Sequence, residues 1–327
     1  SSAGKPDPKD QTGTSASGTV VVYSGRSEHL VQPIFDQFTQ ETGIKVEVRY
    51  GSSPELANLV REERANPQAD IYIGNDAGAM ELLRRDGLLA PHDFPGLEQV
   101  PPDLRAEDGS WVGVTVRLRV IMYNTELLPN PEELPRSIFD LADPKWKGQI
   151  AMNRAHHEYM VGNITALRLA AGEERTEQFL RDLLKNEPVA LGSDTQIRQS
   201  VGKGEFALGW VNHYYYFLEK AEGSPVGIIW PDQEEGGIGA AVNTTGVALI
   251  KGGPNPENGK RFIEFMLRPD IQELLAQRNY EIPTLAGVKP AEGVPTLDQI
   301  KRTQVDLKVY GEEWSRTVDL IERIGLP

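Results

Sequence analysis

The segment Asn212-His213-Tyr214-Tyr215-Tyr216 carries the residues of this sequence whose types and spacing most clearly allow chemistry. Three consecutive tyrosines follow a strand-like run, which places several phenol oxygens within reach of one point. A phenol titrates near pH ~10 in water, but a highly charged metal ion binds the phenolate directly. Fe(III) is the natural candidate. The alternative is an aromatic packing patch, the commoner fate of tyrosine, and the pentapeptide alone does not separate the two interpretations.

The composition narrows the possible ligands and partners. The 327 residues are 39% hydrophobic, which is enough for two cores. The formal net charge of −14, without a segregated basic patch, argues against binding to nucleic acid or to anionic lipid. The sequence has no cysteine, which excludes disulfides, thiolate nucleophiles and cysteine-based metal sites. Any metal therefore needs oxygen or nitrogen ligands.

The first segment differs from the rest of the sequence. Residues 1–18 contain no large apolar side chain, so we expect them to form a flexible N-terminal tether. Such a leader suits a secreted protein or a lipoprotein whose anchoring cysteine was removed upstream. Residues added for expression are the alternative. No run of about 18 apolar residues predicts a membrane span.

Strand-like and helical patterns alternate after the tether. A β-branched run at 19–23 is followed by a helical pattern that ends near Gly43, and an alternating strand at 44–50 precedes a helix from 53 to about 66. A third strand at 70–73 again precedes a helical pattern. This alternation predicts an α/β fold, with a mixed, largely parallel sheet flanked by helices.

The length and the order of these patterns predict two lobes. We expect residues 19–115 together with 246–295 to form lobe 1, and residues 116–245 to form lobe 2. Residues 296–327 are expected to form C-terminal helices, from about Asp298 onward, that pack along the outside of the lobes.

The sequence carries no motif that demands catalysis. It has no G-x-S-x-G elbow and no phosphate-binding loop, and Gly237-Ile238-Gly239 lacks the third glycine of a dinucleotide-binding motif. His157-Glu158 begins like a zinc-protease motif, but Val161 stands where the second histidine is required. We therefore expect a protein that is not an enzyme.

A set of short motifs runs through residues 19–327. They are Val21-Val22-Tyr23-Ser24-Gly25-Arg26, Glu41–Val46, Ala69–Tyr72, Trp111–Gly113, Arg117–Asn124, Pro144–Gly148 and Asn212–Tyr215. Together they resemble the ferric-ion-binding proteins, the bacterial periplasmic solute-binding components of iron ABC transporters. The opening motifs are shared with binding proteins for phosphonates, thiamine and polyamines. The Asn-x-Tyr-Tyr element is the specific one.

The resemblance implies a two-lobed periplasmic-binding-protein fold of type II, with Fe(III) held in the cleft between the lobes. Paired tyrosines bind iron in this family, which points here to Tyr214 and Tyr215, with Tyr216 as a neighbour or substitute. One branch adds a tyrosine shortly after the Pro-x-Trp-Lys-Gly strand, and this position matches Tyr159. The alternative for Tyr159 is packing at the start of a helix, because Asn163 follows it at helical spacing.

Two departures from the family mark a tyrosine-dominated variant. Ser27 stands where many relatives have a metal-binding histidine, and Asn75 stands where another branch supplies a glutamate. We leave His29, His157 and His213 outside the ligand set, because a histidine near a metal is often only a neighbour of the ligands.

An anion is expected beside the metal. Three phenolates cancel the charge of Fe(III) but leave coordination positions open, so the resemblance implies carbonate or bicarbonate as a synergistic anion. Arg117 and Arg119 lie two apart on a strand and therefore face the same side, and a guanidinium fork matches a planar anion. Both are candidates to hold the anion, with Arg26 as a third. The alternative for each is a surface ion pair.

The predicted function is that of a monomeric extracytoplasmic Fe(III)-binding protein, either periplasmic or a membrane-tethered lipoprotein. It would capture the ion, close around it, and deliver it to an inner-membrane ABC permease driven by a separate ATPase. The nearest alternative is the same scaffold binding a phosphonate or another organic anion through Arg117, Arg119 and aromatic walls. An iron enzyme is a weaker alternative, since the usual two-histidine, one-carboxylate triad is not evident. A structural adhesin is a third alternative, and it would have no ligand in the cleft.

Overall fold

The computed structural model describes residues 18–327, so the predicted tether at 1–18 lies outside the described residues except for Gly18. The strands are β1 (Thr19–Ser24), β2 (Lys45–Tyr50), β3 (Ile71–Gly74), β4 (Trp111–Asn124), β5 (Ile150–Asn153), β6 (Val189–Leu191), β7 (Leu208–Asn212), β8 (Val226–Ile229), β9 (Val242–Leu249) and β10 (Ile282–Pro283). The α-helices of residues 18–327 are α1 (Glu28–Thr42), α2 (Ser53–Glu62), α3 (Ala77–Arg85), α4 (Glu158–Ala171), α5 (Glu173–Lys185), α6 (Asp194–Gly202), α7 (His213–Ala221), α8 (Pro256–Met266), α9 (Pro269–Asn279) and α10 (Tyr310–Ile324).

The strands form one mixed sheet in the order β2-β1-β3-β9-β4-β7-β5-β6, with β8 and β10 also paired to β4. Its two ends are parallel, through the pairs β1 with β2 and β3, and β5 with β6 and β7. Its centre is antiparallel, because β9 runs against both β3 and β4 and β7 runs against β4. The mixed α/β fold agrees with the expectation from the sequence.

Strand β4 joins the two halves of this sheet. Residues 111–118 pair with β9, and residues 119–123 pair with β7. Nearly every residue of β4 is buried, which explains why its sequence is a continuous run and lacks the alternation of a half-exposed strand. The change of partner falls between Leu118 and Arg119, so Arg117 and Arg119 lie at the junction of the two halves.

Apolar side chains form two buried clusters. The first covers the β1–β3 end of the sheet, where the rings of Phe35 and Phe38 on α1 lie 5.4 and 5.3 Å from that of Phe262 on α8. The second surrounds β5 and β7 and includes Trp210 and Ile321. The first cluster also extends to residues of α6 and α7, so it is not confined to one predicted lobe. The change of partner along β4 is consistent with two lobes, and their boundaries stay a prediction.

Two helices differ from the expected bounds. Helix α2 is capped by Ser52, whose hydroxyl accepts a hydrogen bond of 3.3 Å from the Glu55 amide, and it ends at Glu62 and not near Asn66. In the C-terminal segment, helix starts only at a short 3-10 turn, Leu307–Val309, which leads into α10. Helix α10 packs against both α3 and α4. Within residues 18–327, no helix is long and apolar enough to cross a membrane.

Candidate metal centre

The predicted metal ligands lie at the starts of two helices. Helix α7 begins directly after β7, so Tyr214 and Tyr215 occupy its first turn, with their rings 4.7 Å apart between centroids. Tyr159 occupies the first turn of α4, and its hydroxyl lies 3.4 Å from that of Tyr214. All three side chains are buried. The N-terminal end of a helix favours negative charge, so both helix starts are suitable places for an anionic ligand.

Arg26 connects the phenols to the β1–α1 loop. Its Nη1 donates hydrogen bonds of 3.0 Å to the Tyr214 hydroxyl and 3.2 Å to the Tyr159 hydroxyl. Its Nη2 forms a buried ion pair with Glu281, which immediately precedes β10. The third candidate for anion binding therefore contacts two of the three predicted metal ligands.

Arg117 has only neutral hydrogen-bond partners. Its Nη1 donates a 3.1 Å hydrogen bond to the Thr245 hydroxyl, and its Nη2 donates to the Asn75 carbonyl oxygen. The guanidinium carbon lies 5.3 Å from the centroid of the Tyr159 ring. Among the salt bridges of the described residues, none involves Arg117. Its positive charge is therefore buried without a salt bridge, although the buried Asp76 carboxylate is close enough for the Arg117 charge to offset part of the rise that burial gives to the pKa of Asp76.

Arg119 is already paired with a carboxylate. Its Nη1 donates to Asp194 at 2.7 Å and to the Asn212 side-chain oxygen at 2.8 Å, and its Nη2 donates to the Trp210 carbonyl at 3.1 Å. Asp194 also accepts a 2.8 Å hydrogen bond from Asn153. This pairing favours a structural role for Arg119 over the anion-holding role expected from the sequence.

Tyr159 lines a small cavity. Its lining includes Arg117, Arg119, Asn163 and Asn243, and its volume is about 20 Å³. This volume suits one water molecule and is too small for the four heavy atoms of carbonate. Both side-chain amide atoms of Asn163 are buried without a hydrogen-bond partner in the described part of the chain. An anion on this side of Tyr159 therefore requires neighbouring side chains to move apart.

Glu158 links the start of α4 to the β1–β3 end of the sheet. Its carboxylate accepts a 3.0 Å hydrogen bond from the Asn75 amide and a 3.1 Å hydrogen bond from the Ser53 backbone N–H. The Asn75 amide also donates to the Gly25 carbonyl at 2.8 Å, beside Arg26. We call the contacts of Glu158 with Asn75 and Ser53 the Glu158 bridge, and it spans the two predicted lobes.

Burial controls the protonation of the tyrosines and of the adjacent histidines. Burial raises the pKa of Tyr159 and of Tyr215 well above the usual range, and the neighbouring phenols raise both further. Burial lowers the pKa of His213 to about 4. The neutral His213 ring accepts from the Leu118 N–H at 3.1 Å and donates to the Tyr280 carbonyl at 2.7 Å. Both of its ring nitrogens are therefore engaged, which supports leaving His213 outside the ligand set.

The remaining candidates from the sequence lie apart from this cluster or only border it. The Tyr23 hydroxyl donates a 2.7 Å hydrogen bond to Glu63, and the Tyr216 ring packs against Phe217 with centroids 4.9 Å apart. Ser27 is the N-cap residue of α1 and makes no side-chain capping bond. The Nδ1 atom of His157 accepts a 3.1 Å hydrogen bond from the Tyr159 N–H.

Sequence reasoning missed Glu281, Asp194 and the Glu158 bridge. Glu281 and Asp194 are single carboxylates in segments without a recognisable motif, and only a general rule marks them, namely that a buried arginine needs a partner. In residues 18–327, no group of three or more His, Asp or Glu side chains could hold a metal ion. A metal centre in this cluster would use phenol oxygens.

Comparison with known proteins identifies the family. Residues 66–307 match the model of the bacterial extracellular solute-binding proteins. The chain is 36% identical over 316 residues to iron uptake protein A1 of Synechocystis sp., covering 93% of this chain and 86% of that protein. It is 30% identical over 318 residues to the Fe(3+)-binding periplasmic protein of Serratia marcescens, covering 95% of this chain and 92% of that protein.

Solved structures agree with these matches. A Trichodesmium protein in complex with iron and citrate ligands superposes with a TM-score of 0.79 at 30% identity, covering 95% of this chain and 100% of that one. Iron-bound HitA from Pseudomonas aeruginosa superposes with a TM-score of 0.85 at 27% identity, covering 94% and 99%. The two-lobed fold and the expectation of a binding protein that is not an enzyme are confirmed at the level of the family. The chain belongs to the bacterial extracellular solute-binding proteins.

Proposed function

We propose that this protein binds Fe(III) as its transported substrate, through the phenolates of Tyr159, Tyr214 and Tyr215. The observation that carries the proposal is the convergence of these buried phenols from the first turns of α4 and α7, with two hydroxyls 3.4 Å apart. Relatives that match nearly the whole chain bear names that describe ferric-ion binding or iron uptake. Phenolate oxygens are hard ligands that suit a hard trivalent cation.

The charges around the phenols support an anion beside the metal. The Arg26–Glu281 and Arg119–Asp194 pairs are each neutral, and three phenolates cancel the charge of Fe(III). Arg117 then remains as a buried positive charge that has only neutral partners. We propose that carbonate or bicarbonate binds at Arg117, with Arg26 as its neighbour, and that Tyr159 and Asn163 shift to admit the anion. Citrate is the second candidate, since it accompanies iron in the Trichodesmium protein.

Iron capture would couple proton release to closure. Tyr159 and Tyr215 hold their protons at neutral pH because burial raises their pKa, so each must lose a proton when it binds the metal. Closing the two lobes at the boundaries predicted from the sequence would form the Glu158 bridge and the hydrogen bonds of Arg26 to Tyr159 and Tyr214. Opening them would release the ion.

The proposed cellular role follows from the family. Solute-binding proteins of ABC transporters deliver their ligand to a membrane permease with its ATPase, and this chain would deliver iron in the same way as a monomer. It would work outside the cytoplasm, either free in the periplasm or tethered to the membrane through residues 1–18.

A visible absorption spectrum tests the function. Metal-free protein is titrated with Fe(III) in the presence of bicarbonate. We expect a red-orange phenolate charge-transfer band that saturates at one iron per chain. Tyr159→Phe, Tyr214→Phe and Tyr215→Phe should each lose or shift the band. The matched control is Tyr216→Phe, which removes a phenol from the same helix and should leave the band unchanged.

Two outcomes would contradict the proposal. A protein that stays colourless would exclude phenolate ligation of iron and favour the alternative, a phosphonate or another organic anion held at Arg117. An equal loss of the band in the Tyr216→Phe control would show that the band does not report the three proposed ligands.

A further inference from the structure

We propose that Glu281 is a positioning residue for iron capture, which acts through Arg26 and does not bind the metal. The inference rests on the proposed function, because it concerns the same three phenols. Glu281 lies 255 residues from Arg26 in the sequence. Its carboxylate would neutralise the Arg26 guanidinium, so that this cation can lie near a trivalent ion.

The geometry places Arg26 between Glu281 and the phenols. Arg26 is buried, and its Nη1 donates to both the Tyr214 and the Tyr159 hydroxyl, at 3.0 and 3.2 Å. Its other terminal nitrogen, Nη2, is taken by the Glu281 carboxylate. One terminal nitrogen of the guanidinium group therefore binds the carboxylate, while the other donates to the two ligand oxygens.

Glu281 is positioned by the strand that follows it and by the side chain of Asn279. It immediately precedes β10, whose residues Ile282 and Pro283 pair with Val116 and Thr115 of β4, next to Arg117. The Asn279 amide lies 3.5 Å from the second carboxylate oxygen of Glu281 and 2.9 Å from the Leu30 carbonyl on α1. The carboxylate is buried and is fixed relative to the strand that joins the two halves of the sheet.

Electrostatics explain why Arg26 needs this partner. A lone guanidinium within hydrogen-bond distance of the ligand oxygens would lie a few ångströms from Fe(III), and like charges at that separation repel strongly in a buried site. Glu281 cancels the charge of Arg26 and leaves its hydrogen bonds to the phenol oxygens in place. Donation from Arg26 then favours the phenolate form, without a net positive charge that opposes the metal.

A purely structural ion pair would predict a different pattern of mutational effects. If the role of Glu281 were purely structural, its substitution would lower the stability of the fold. Substituting Arg26 as well would then lower stability further or leave iron affinity unchanged. A positioning Glu281 predicts rescue, because the second substitution removes the uncompensated positive charge that the first one leaves beside the ligands.

The experiment is a double-mutant cycle of Glu281→Gln, Arg26→Gln and the double variant. Iron affinity is measured by competition with citrate, together with the wavelength of the phenolate band and the melting temperature. We expect Glu281→Gln to lower the iron affinity by at least about tenfold and to shift the band, since a buried charge that loses its partner has effects of this order or larger. The double variant should recover most of the affinity. The matched control is Glu63→Gln, which alters the carboxylate that accepts from Tyr23, outside the cluster, and should change neither affinity nor band.

Each outcome decides the inference. If the wild-type protein gives no band with Fe(III), the proposed function and this inference both fail. If the wild type gives the band but Glu281→Gln leaves affinity and wavelength unchanged, or the double variant binds more weakly than Glu281→Gln, the inference alone fails.

A second variant covers a failure of Glu281→Gln to fold. Glu281→Asp keeps the charge and shortens its reach, so it should shift the band and retain affinity within a few-fold of wild type at an unchanged melting temperature. An unshifted band in Glu281→Asp would overturn the positioning role.

Discussion

Arg119 and Arg117 leave β4 two residues apart on the same face, yet the two regions around them differ in their charges. The Arg119 region contains Asp194, which also accepts hydrogen bonds from Asn153 and from the Asn212 N–H. In the described residues, two buried donors of that region lack a hydrogen-bond partner, the Arg119 Nε and the Trp210 Nε1, but the Arg119 charge itself is paired with Asp194. In the Arg117 region the guanidinium donates hydrogen bonds only to a hydroxyl and a backbone carbonyl, and the nearby Asp76 carboxylate forms no salt bridge with it.

The difference separates a structural arginine from one available to a ligand. A carboxylate partner neutralises a buried cation and offsets much of its desolvation cost. A buried cation with neutral partners keeps more of that cost, which an incoming anion can offset. The side-chain amide of Asn163, which has no hydrogen-bond partner in the described residues, lies on the wall of the small cavity that both Arg117 and Arg119 line. The Arg119 region therefore holds α6 against β7, and the Arg117 region is where we expect the anion.

Removing the carboxylate from the Arg119 region should have the largest effect on folding. Asp194→Asn leaves Arg119 buried without a counter-charge, and breaking a buried pair in this way costs about 3–5 kcal/mol. We expect a loss of this size in the free energy of unfolding measured by urea denaturation. A loss below about 1 kcal/mol would show that Asp194 does not stabilise the buried charge of Arg119, and would contradict the proposed difference between the two arginines.

Removing the cation from the Arg117 region should affect binding and not folding. Arg117→Gln deletes the charged donor of the proposed anion, so iron affinity at saturating bicarbonate should fall by about 2 kcal/mol, or ~30-fold, while affinity without bicarbonate changes little. Competition titrations at several bicarbonate concentrations measure both values. The control is Arg136→Gln, a largely exposed arginine paired with Glu234, which should behave as wild type. An equal loss with and without bicarbonate would contradict an anion site at Arg117.

The sequence predicted the phenols but could not predict this difference between the arginines. Tyr214 and Tyr215 were found because they are adjacent and stand at a strand–helix junction, which is local information. The period of a strand places Arg117 and Arg119 on one face but says nothing about their partners. Asp194 lies 75 residues from Arg119, and Glu281 lies 255 residues from Arg26.

The fold shows the same limit of local patterns. The alternation of strands and helices predicted the α/β class, and the parallel ends of the sheet follow from it. The antiparallel centre depends on β9, which begins at Val242 and pairs with β3 and β4, both of which end by Asn124. The sequence predicted that residues 246–295 return to lobe 1, but no local pattern encodes the partners of β9 or its antiparallel direction. Helix ends were also inexact, as α2 shows by stopping at Glu62.

The pH dependence of iron affinity tests whether Tyr159, which lies next to Arg117, binds the metal. Tyr159 lies over Arg117, and its raised pKa means that it carries a proton at neutral pH which binding must release. Affinity should therefore increase with pH, by one decade per pH unit for each phenol that ionises, or about 1.4 kcal/mol. Tyr159→Phe should lower the slope of log affinity against pH by about one between pH 6 and 8. An unchanged slope would remove Tyr159 from the ligand set.

Weakening the Glu158 bridge should have the smallest effect, on the rate of iron release and not on folding. Asn75 connects the bridge to Arg117, because its backbone carbonyl accepts from Arg117 while its side-chain amide donates to Glu158. Glu158→Gln keeps the size of the side chain but removes its charge, which weakens hydrogen bonds to Asn75 and to the Ser53 N–H by about 1 kcal/mol. Iron should then dissociate about fivefold faster, measured by stopped-flow loss of the phenolate band into excess chelator. The stability of the Arg119 region should not change, so the urea midpoint should match that of the wild type. A shift of that midpoint as large as the one in Asp194→Asn would mean that the bridge holds the fold together and does not control release of the ion.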